Sequence, residues 1–425
     1  MAAAGRPMIV DIHTHVYTPA YVELLRRRAE VPRVVRSADG EERVILLKEE
    51  VSGDGSNSKG RPVGPQYWDS RAKLSFMDAH GIDVSVVSLA NPWLDFLGPT
   101  EAVETARKLN DELEAYCASA HASNDNQTDD TSFSPLTQAR LFAFGSLPLV
   151  PGVEPAAVLE AVEQIQQSPH LRGVIMGTKG LGKGLDDPEM EPVYRALSSA
   201  GLIVFVHPHY GVENAFGEQD NGHVLALGLG FPLETTIGIA RLILAGVLDR
   251  HPDLKLLLAH SAGALPALSS RLASCITHDP HVKDRLQTDF RFYLGQMWYD
   301  ALAYGPEELA LVERVISRAG NYECRDEELP FIQRVNGRAD LLAPVAVYPG
   351  VERLLFGTDH PFFPPLEGDS SARWPSVDEN LDAIAGVPGW GKQERDRVLG
   401  QNAVELFGLE AKGKIGLDRR WALCL

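Results

Sequence analysis

Met8-Ile-Val-Asp-Ile-His-Thr-His15 decides how the chain is read. Met8-Ile9-Val10 predicts a first β-strand, with Asp11-Ile-His-Thr-His15 at its C-terminal end. On a strand, residues two apart face the same side. His13 and His15 therefore offer two imidazoles to one point, as a single metal ion requires. The pair also fits two hydrogen-bonded structural histidines among the chain's 13, so its meaning depends on partners further along. Asp11 would join the two only on a regular strand, and a structural hydrogen-bonding role suits it better.

Apolar runs alternate with helical patterns over the rest of the chain. Strands are expected at residues 84–90, 141–147, 171–176, 202–207, 254–260, 290–299 and 353–359. Helices are expected at residues 70–80, 100–117, 153–167, 190–200, 235–247, 265–277, 306–318, 376–385 and 394–407. Short strands separated by helices imply a parallel sheet with helices outside. Eight such units in 425 residues predict one (β/α)8 TIM barrel spanning residues 1–425, with an open doubly wound sheet as the alternative. Residues 38–66, which include Val44-Ile-Leu-Leu-Lys48 and a Gly/Ser-rich run, read as a subdomain or lid inserted after the first strand. Residues 124–137 and 321–349 read as extra surface segments; the second is long for a connection inside a compact domain.

Composition narrows the partners. A net charge of −18 argues against nucleic acid, which requires a basic stripe to displace counterions. The start of the chain has no apolar core typical of a signal peptide, and no apolar run reaches the ~20 residues of a membrane span. The four scattered Cys form no CxxC pair, which fits a reducing, cytoplasmic setting.

In a barrel, functional residues gather at the C-terminal ends of strands. Polar residues end the apolar runs here: His13 and His15, Asn91, His207, His260 and Asp359. Three His and a carboxylate suit a divalent transition ion, with Zn expected. His209 forms a second His-x-His with His207, but Pro208 breaks the strand between them, so a supporting or structural role is expected. Gly177-Thr-Lys-Gly-Leu-Gly-Lys-Gly184 lacks the Gly-Lys-Ser/Thr ending of a phosphate loop and reads as a barrel loop. The fourth strand ends at Met176-Gly177, short of Lys179, so no lysine is placed to bridge two metals.

Asp11-Ile-His-Thr-His15, Val206-His-Pro-His-Tyr210, Leu258-Ala-His-Ser-Ala-Gly263 and Phe356-Gly-Thr-Asp-His-Pro361 together resemble the metal-dependent decarboxylases of the amidohydrolase superfamily, which include aminocarboxymuconate semialdehyde decarboxylase. Ser88-Leu-Ala-Asn-Pro-Trp93, Gly180-Leu-Gly-Lys-Gly-Leu-Asp-Asp187, Gly230-Phe-Pro-Leu-Glu-Thr-Thr236 and Asp359-His-Pro-Phe-Phe-Pro-Pro365 resemble most closely the fungal isoorotate (uracil-5-carboxylate) decarboxylases of that group. The resemblance covers most of the chain and lacks the two extra segments.

It implies that His13, His15, His207 and Asp359 hold one Zn, and that Asn91, Phe231, His260 and Phe362 line a substrate pocket. It also implies that Arg271 of a neighbouring subunit grips the substrate, hence a homodimer or homotetramer; by itself Arg271 reads as an ordinary surface residue. The implied reaction takes isoorotate to uracil and CO2 in pyrimidine (thymidine) salvage, with no organic cofactor. The metal is expected to chelate the substrate's carboxylate and adjacent carbonyl. Asp359 is expected to protonate C5 before CO2 leaves, with His260 tuning or relaying. The alternatives are decarboxylation of another planar acid, such as aminocarboxymuconate semialdehyde or a hydroxybenzoate, hydrolysis of a lactone or cyclic amide, and a non-catalytic barrel with a structural Zn.

Overall fold

A computed structural model describes residues 6–37, 40–47, 50, 60–120, 139–212, 221–322, 349–366 and 373–409. Eight strands pair in parallel in the order β1 (Val10–Val16), β5 (Val84–Leu89), β6 (Leu141–Ser146), β7 (Leu171–Gly177), β8 (Ile203–His207), β9 (Lys255–Leu258), β10 (Trp298–Asp300) and β11 (Leu354–Leu355). The last returns to the first through the Ile12 N–H on the Phe356 carbonyl (3.0 Å), the His15 N–H on the His360 carbonyl (2.7 Å) and a Thr14–His360 bridge. The result is a nearly closed barrel with helices outside, as the alternation predicts, and not an open sheet.

The strands are buried on both faces, which is why they read as continuous apolar runs. Ile12, Val86, Phe144, Ile175, Phe205 and Leu257 belong to one buried cluster. Val87, Val174, Val204 and Leu258 pack in another with residues of the outer helices, among them Met77, Leu113 and Ile165. The main outer helices are α3 (Ser70–His80), α4 (Pro99–Ala118), α5 (Pro155–Gln167), α6 (Glu191–Ala200), α7 (Phe231–Leu244), α9 (Leu265–His278), α10 (Pro306–Ser317) and α11 (Pro375–Gly386). Many start with proline in the first turn, where the missing N–H costs nothing. That signal also moves the start of α7 from residue 235 back to Phe231.

Several expected boundaries are corrected. Phe292–Gln296 forms a 3₁₀ turn, so the seventh strand is Trp298–Asp300 and includes Asp300. The eighth strand pairs over two residues only; Gly350–Arg353 is a 3₁₀ turn and Asp359 has φ +56°. The expected final helix is divided by a π turn at Arg397–Gln401. After β1, an unforeseen helix α1 (Pro19–Arg26) leads into an antiparallel sheet of β2 (Arg33–Arg36), β3 (Glu42–Ile45) and β4 (Arg61–Pro62), which begins before residue 38. Residues 124–137 lie outside the described residues, as do 323–348 of the second extra segment.

One helical stretch, Ala226–Leu244, is long and apolar enough to cross a membrane by length and composition, contrary to the expectation that no run approaches that length. It packs against the barrel through Ile239, Leu242 and Ile243. Cys117 and Cys275 are free thiols; the other two cysteines lie outside the described residues.

Candidate metal centre and substrate pocket

The C-terminal mouth of the barrel brings His13, His15 and His207 together, each buried, with one ring nitrogen apiece within 4.8 Å of the others. His13, His260 and Asp359 form an overlapping group by the same measure. The Nε2 atoms of His13 and His15 are 3.1 Å apart, and Asp359 Oδ1 lies 3.5 and 3.2 Å from them.

The opposite ring nitrogens set the tautomers. His207 Nδ1 donates to the Pro208 carbonyl (2.8 Å), which can only accept, so its Nε2 carries a lone pair. His13 Nδ1 donates to the Asp300 carboxylate (2.6 Å), with the same result. His15 Nδ1 meets the Ser88 hydroxyl (3.0 Å). Partners of this kind orient metal-binding imidazoles. Lone pairs at this separation repel unless a cation lies between them. Three imidazoles and one carboxylate make a donor set suited to a divalent transition ion.

Burial pushes the His15 imidazole down to about 4 and His207 well below its ordinary value, so both are neutral near pH 7. Burial works against the charged form of His13 too, but the Asp300 hydrogen bond and the nearby carboxylates raise it overall. Asp359 is held below the usual carboxylate range: burial opposes this, and the His15 contact and the neighbouring imidazoles outweigh it.

Asp300 is not among the residues the sequence singles out, because the seventh apolar run reads as ending at Tyr299, one residue short of it. Its signal is the one that identified the others, a polar residue closing an apolar run, Trp298-Tyr-Asp300. Oδ2 accepts from His13 and from the His260 N–H (2.8 Å); Oδ1 accepts from the N–H groups of Ser261 (2.7 Å) and Leu302 (3.2 Å). The left-handed backbone of His260, Ser261 and Ala262 (φ +53°, +52°, +62°) aims two of those amides at the carboxylate. Asp300 thus ties the sixth strand's histidine loop to His13 on the first strand. His260 stands 5.1 and 5.2 Å from the His13 and His207 ring centroids, and its buried Nδ1 has no hydrogen-bond partner among the described residues. Burial, then the neighbouring His13, holds it below the ordinary value.

Asp11 is at the seam and belongs to neither candidate ligand group. The β1–β5 register slips between Asp11 and Thr14, and Asp11 accepts from the Thr358 hydroxyl (2.7 Å) and N–H (3.1 Å). Gly357 meets β1 so closely that a Cβ there would come within 2.6 Å of His13 Cβ. On the outer side, the buried Lys73 donates to Thr14 Oγ1 (2.7 Å) and His360 Nδ1 (2.6 Å).

Of the residues expected to face substrate, Phe362 and Phe231 lie 5.2 and 6.5 Å from the His15 and His207 rings, centroid to centroid. Asn91 commits Nδ2 to the His209 carbonyl (2.7 Å), leaving Oδ1 as the atom it can offer. His209 itself points to Asp95 (2.9 Å), in a supporting role. Lys179 pairs with Asp95 (3.4 Å) and lies over the Tyr210 ring, away from the imidazoles. Arg271 is exposed on α9 and is not brought to the site within one chain. A second residue missed from the sequence is Arg61, on β4. Its guanidinium lies 4.8 Å over the Phe362 ring and forms no ion pair among the described residues. Nothing local distinguishes it from the other 39 Lys and Arg; only the fold brings it to Phe362.

Comparison with known proteins matches residues 10–409 to the amidohydrolase family model. The solved structure of the isoorotate decarboxylase (IDCase) of Metarhizium anisopliae is similar over 96% of this chain and 99% of its own, with 37% identity and a TM-score of 0.80. Decarboxylase yanB of Aspergillus niger is 28% identical over 70% of each chain. A dihydroxybenzoic acid decarboxylase from Polaromonas sp. JS666, solved with bound manganese and 2-nitroresorcinol, shares the fold at 19% identity and a TM-score of 0.63, over 96% of this chain and 98% of its own.

Proposed function

The chain belongs to the amidohydrolase family and is a carboxy-lyase of aromatic acids; from that premise we propose that its substrate is isoorotate, its products are uracil and CO2, and its metal is Zn. The likeness to the Metarhizium IDCase along nearly the whole of both chains carries the choice of substrate.

His13, His15, His207 and Asp359 would hold the ion. When bound, it would supply a Lewis-acid charge and a template for the substrate's carboxylate and adjacent oxygen. The chain's own residues account for the rest. Losing CO2 directly from an sp2 ring carbon would leave a carbanion without an electron sink. A proton delivered to C5 first removes that obstacle, and the C5–carboxylate electron pair then restores the ring double bond as CO2 departs. Two carboxylates are near. The Asp300 side chain has no exposure and both of its oxygens are occupied, whereas that of Asp359 is 10% exposed. Asp359 is therefore the carboxyl group that can reach C5, and His260 would relay a solvent proton to it, taking up a proton on one ring nitrogen as it gives one up from the other. Phe231 and Phe362 would flank the planar ring, and Asn91 Oδ1 would accept a ring N–H. Arg61 would face the substrate's negative charge from the mouth. Arg271 would act from a neighbouring chain in a homodimer or homotetramer, so dilution to monomer in light scattering should abolish activity.

The test incubates Zn-loaded protein with isoorotate, 2,6-dihydroxybenzoate and aminocarboxymuconate semialdehyde, following CO2 and ring products by chromatography. Uracil and CO2 in equal amounts from isoorotate are expected. A ring-opened product without CO2, or turnover confined to a different acid, refutes the assignment.

A further inference from the structure

The loop leaving β8 makes contacts that holding a metal does not require. Beyond His207 and Pro208, the N–H groups of His209, Tyr210 and Gly211 all donate to one carboxylate, Glu234 (2.9, 3.1 and 2.5 Å). The Thr178 hydroxyl, just past β7, donates to it as well. Glu234 lies in the first turn of α7, three residues after Phe231. One side chain therefore joins the ends of β7 and β8 to the start of α7 through four neutral donors.

The segment held in this way touches the substrate-facing residues on two sides. The His209 carbonyl accepts from Asn91 Nδ2 (2.7 Å). Gly211 has φ +82°, and a Cβ there would come within 3.2 Å of Phe231 Cδ1 and 3.3 Å of the Gly230 carbonyl carbon. The Val212 N–H closes the seat on the Gly230 carbonyl (3.2 Å). The bare backbone of Gly211 is thus the floor on which Phe231 rests, and the Glu234 carboxylate holds that floor. His207, in contrast, is set by β8 and by its own bond to Pro208.

We infer that Glu234 is a positioning residue for substrate recognition: through His209 and Gly211 it sets where Asn91 and Phe231 meet the ring of the bound acid, independently of metal capture. The inference rests on the reading of Asn91 and Phe231 as substrate-lining residues.

Glu234→Gln keeps the size but turns an amide N–H2 toward two of the four donors. Expected results are a KM for isoorotate raised about tenfold with kcat within about threefold, and a matching rise in the Kd of isoorotate for the Zn-loaded protein by calorimetry. Zn affinity should stay within about twofold. In a Phe231→Leu background the Glu234→Gln effect should shrink to under about threefold, since both changes act on one ring position. An unchanged Kd, a parallel fall in Zn affinity, or full additivity with Phe231→Leu overturns the inference.

Thr178→Val removes one donor and Gly211→Ala crowds the Phe231 seat; each should raise the Kd at native Zn affinity. If Glu234→Gln does not fold, a raised Kd in both supports the inference and an unchanged Kd in both overturns it. Native protein that binds isoorotate without releasing CO2 defeats the proposed reaction, while the binding measurements still decide the role of Glu234.

Discussion

Replacing Asp300 by Asn preserves the side chain's size and removes its charge, and the surrounding donors leave the amide no satisfactory orientation. With its oxygen toward His13 and the His260 N–H, its NH2 faces the N–H groups of Ser261 and Leu302. A buried donor left without an acceptor costs about 1–3 kcal/mol, so the metal-free protein should then melt several degrees lower. In the other orientation the NH2 faces His13 Nδ1, which must become the acceptor; the His13 proton moves to Nε2, the atom that should bind the ion. Loss of such a supporting partner typically weakens metal binding by about 10–100-fold, or about 1.4–2.7 kcal/mol. Zn competition against a chromogenic chelator and a thermal melt of the metal-free protein read the two branches. An Asp300→Asn protein with Zn affinity within about threefold of native and an unchanged Tm would refute this reading of Asp300.

Three further outcomes are expected. His207→Ala should lower Zn content from about one ion per chain to about a tenth or less by mass spectrometry of metals; full retention would remove His207 from the ligand set. Arg61→Met should raise KM for a carboxylate substrate by about tenfold at unchanged Zn content, and an unaltered KM would confine Arg61 to packing on Phe362. Burial pushes Lys73 down to about 7 and Asp11 up to about 6. The unfolded chain holds the lysine proton to about pH 10, so it binds more protons than the folded protein between about pH 7 and 10, and stability rises with pH there. For Asp11 the folded state binds more, so stability falls as pH rises toward 6. Lys73→Met should flatten the rise of Tm above pH 7; an equal slope in the variant would contradict the assignment.

The barrel was legible because each buried parallel strand is an unbroken apolar run, and His13, His15, His207, His260 and Asp359 stood out where such runs end. Strand ends were less legible where local and tertiary preferences conflict. Phe290–Tyr299 reads as one run, but Phe292–Gln296 turns as a 3₁₀ segment and the strand proper, Trp298–Asp300, runs one residue further, to Asp300. Arg353-Leu-Leu-Phe reads as a long strand, but the polar residues after it are fixed by Asp11 and the His13 carbonyl rather than by a full ladder. Arg61 and Glu234 owe their positions to contacts between distant segments, which residue spacing does not encode.

The seam between the first and last strands also governs the order of assembly. Its hydrogen bonds span separations of up to 347 residues, as between Asp11 and Thr358. Such distant pairings close late, because the loop entropy must be met before the contacts form. A ribosome would release His13 and His15 long before Asp359 emerges, so the growing chain would carry an incomplete set of ligands for most of its synthesis. The full set of three imidazoles and one carboxylate would then exist only in a finished fold, once the last strand has closed on the first.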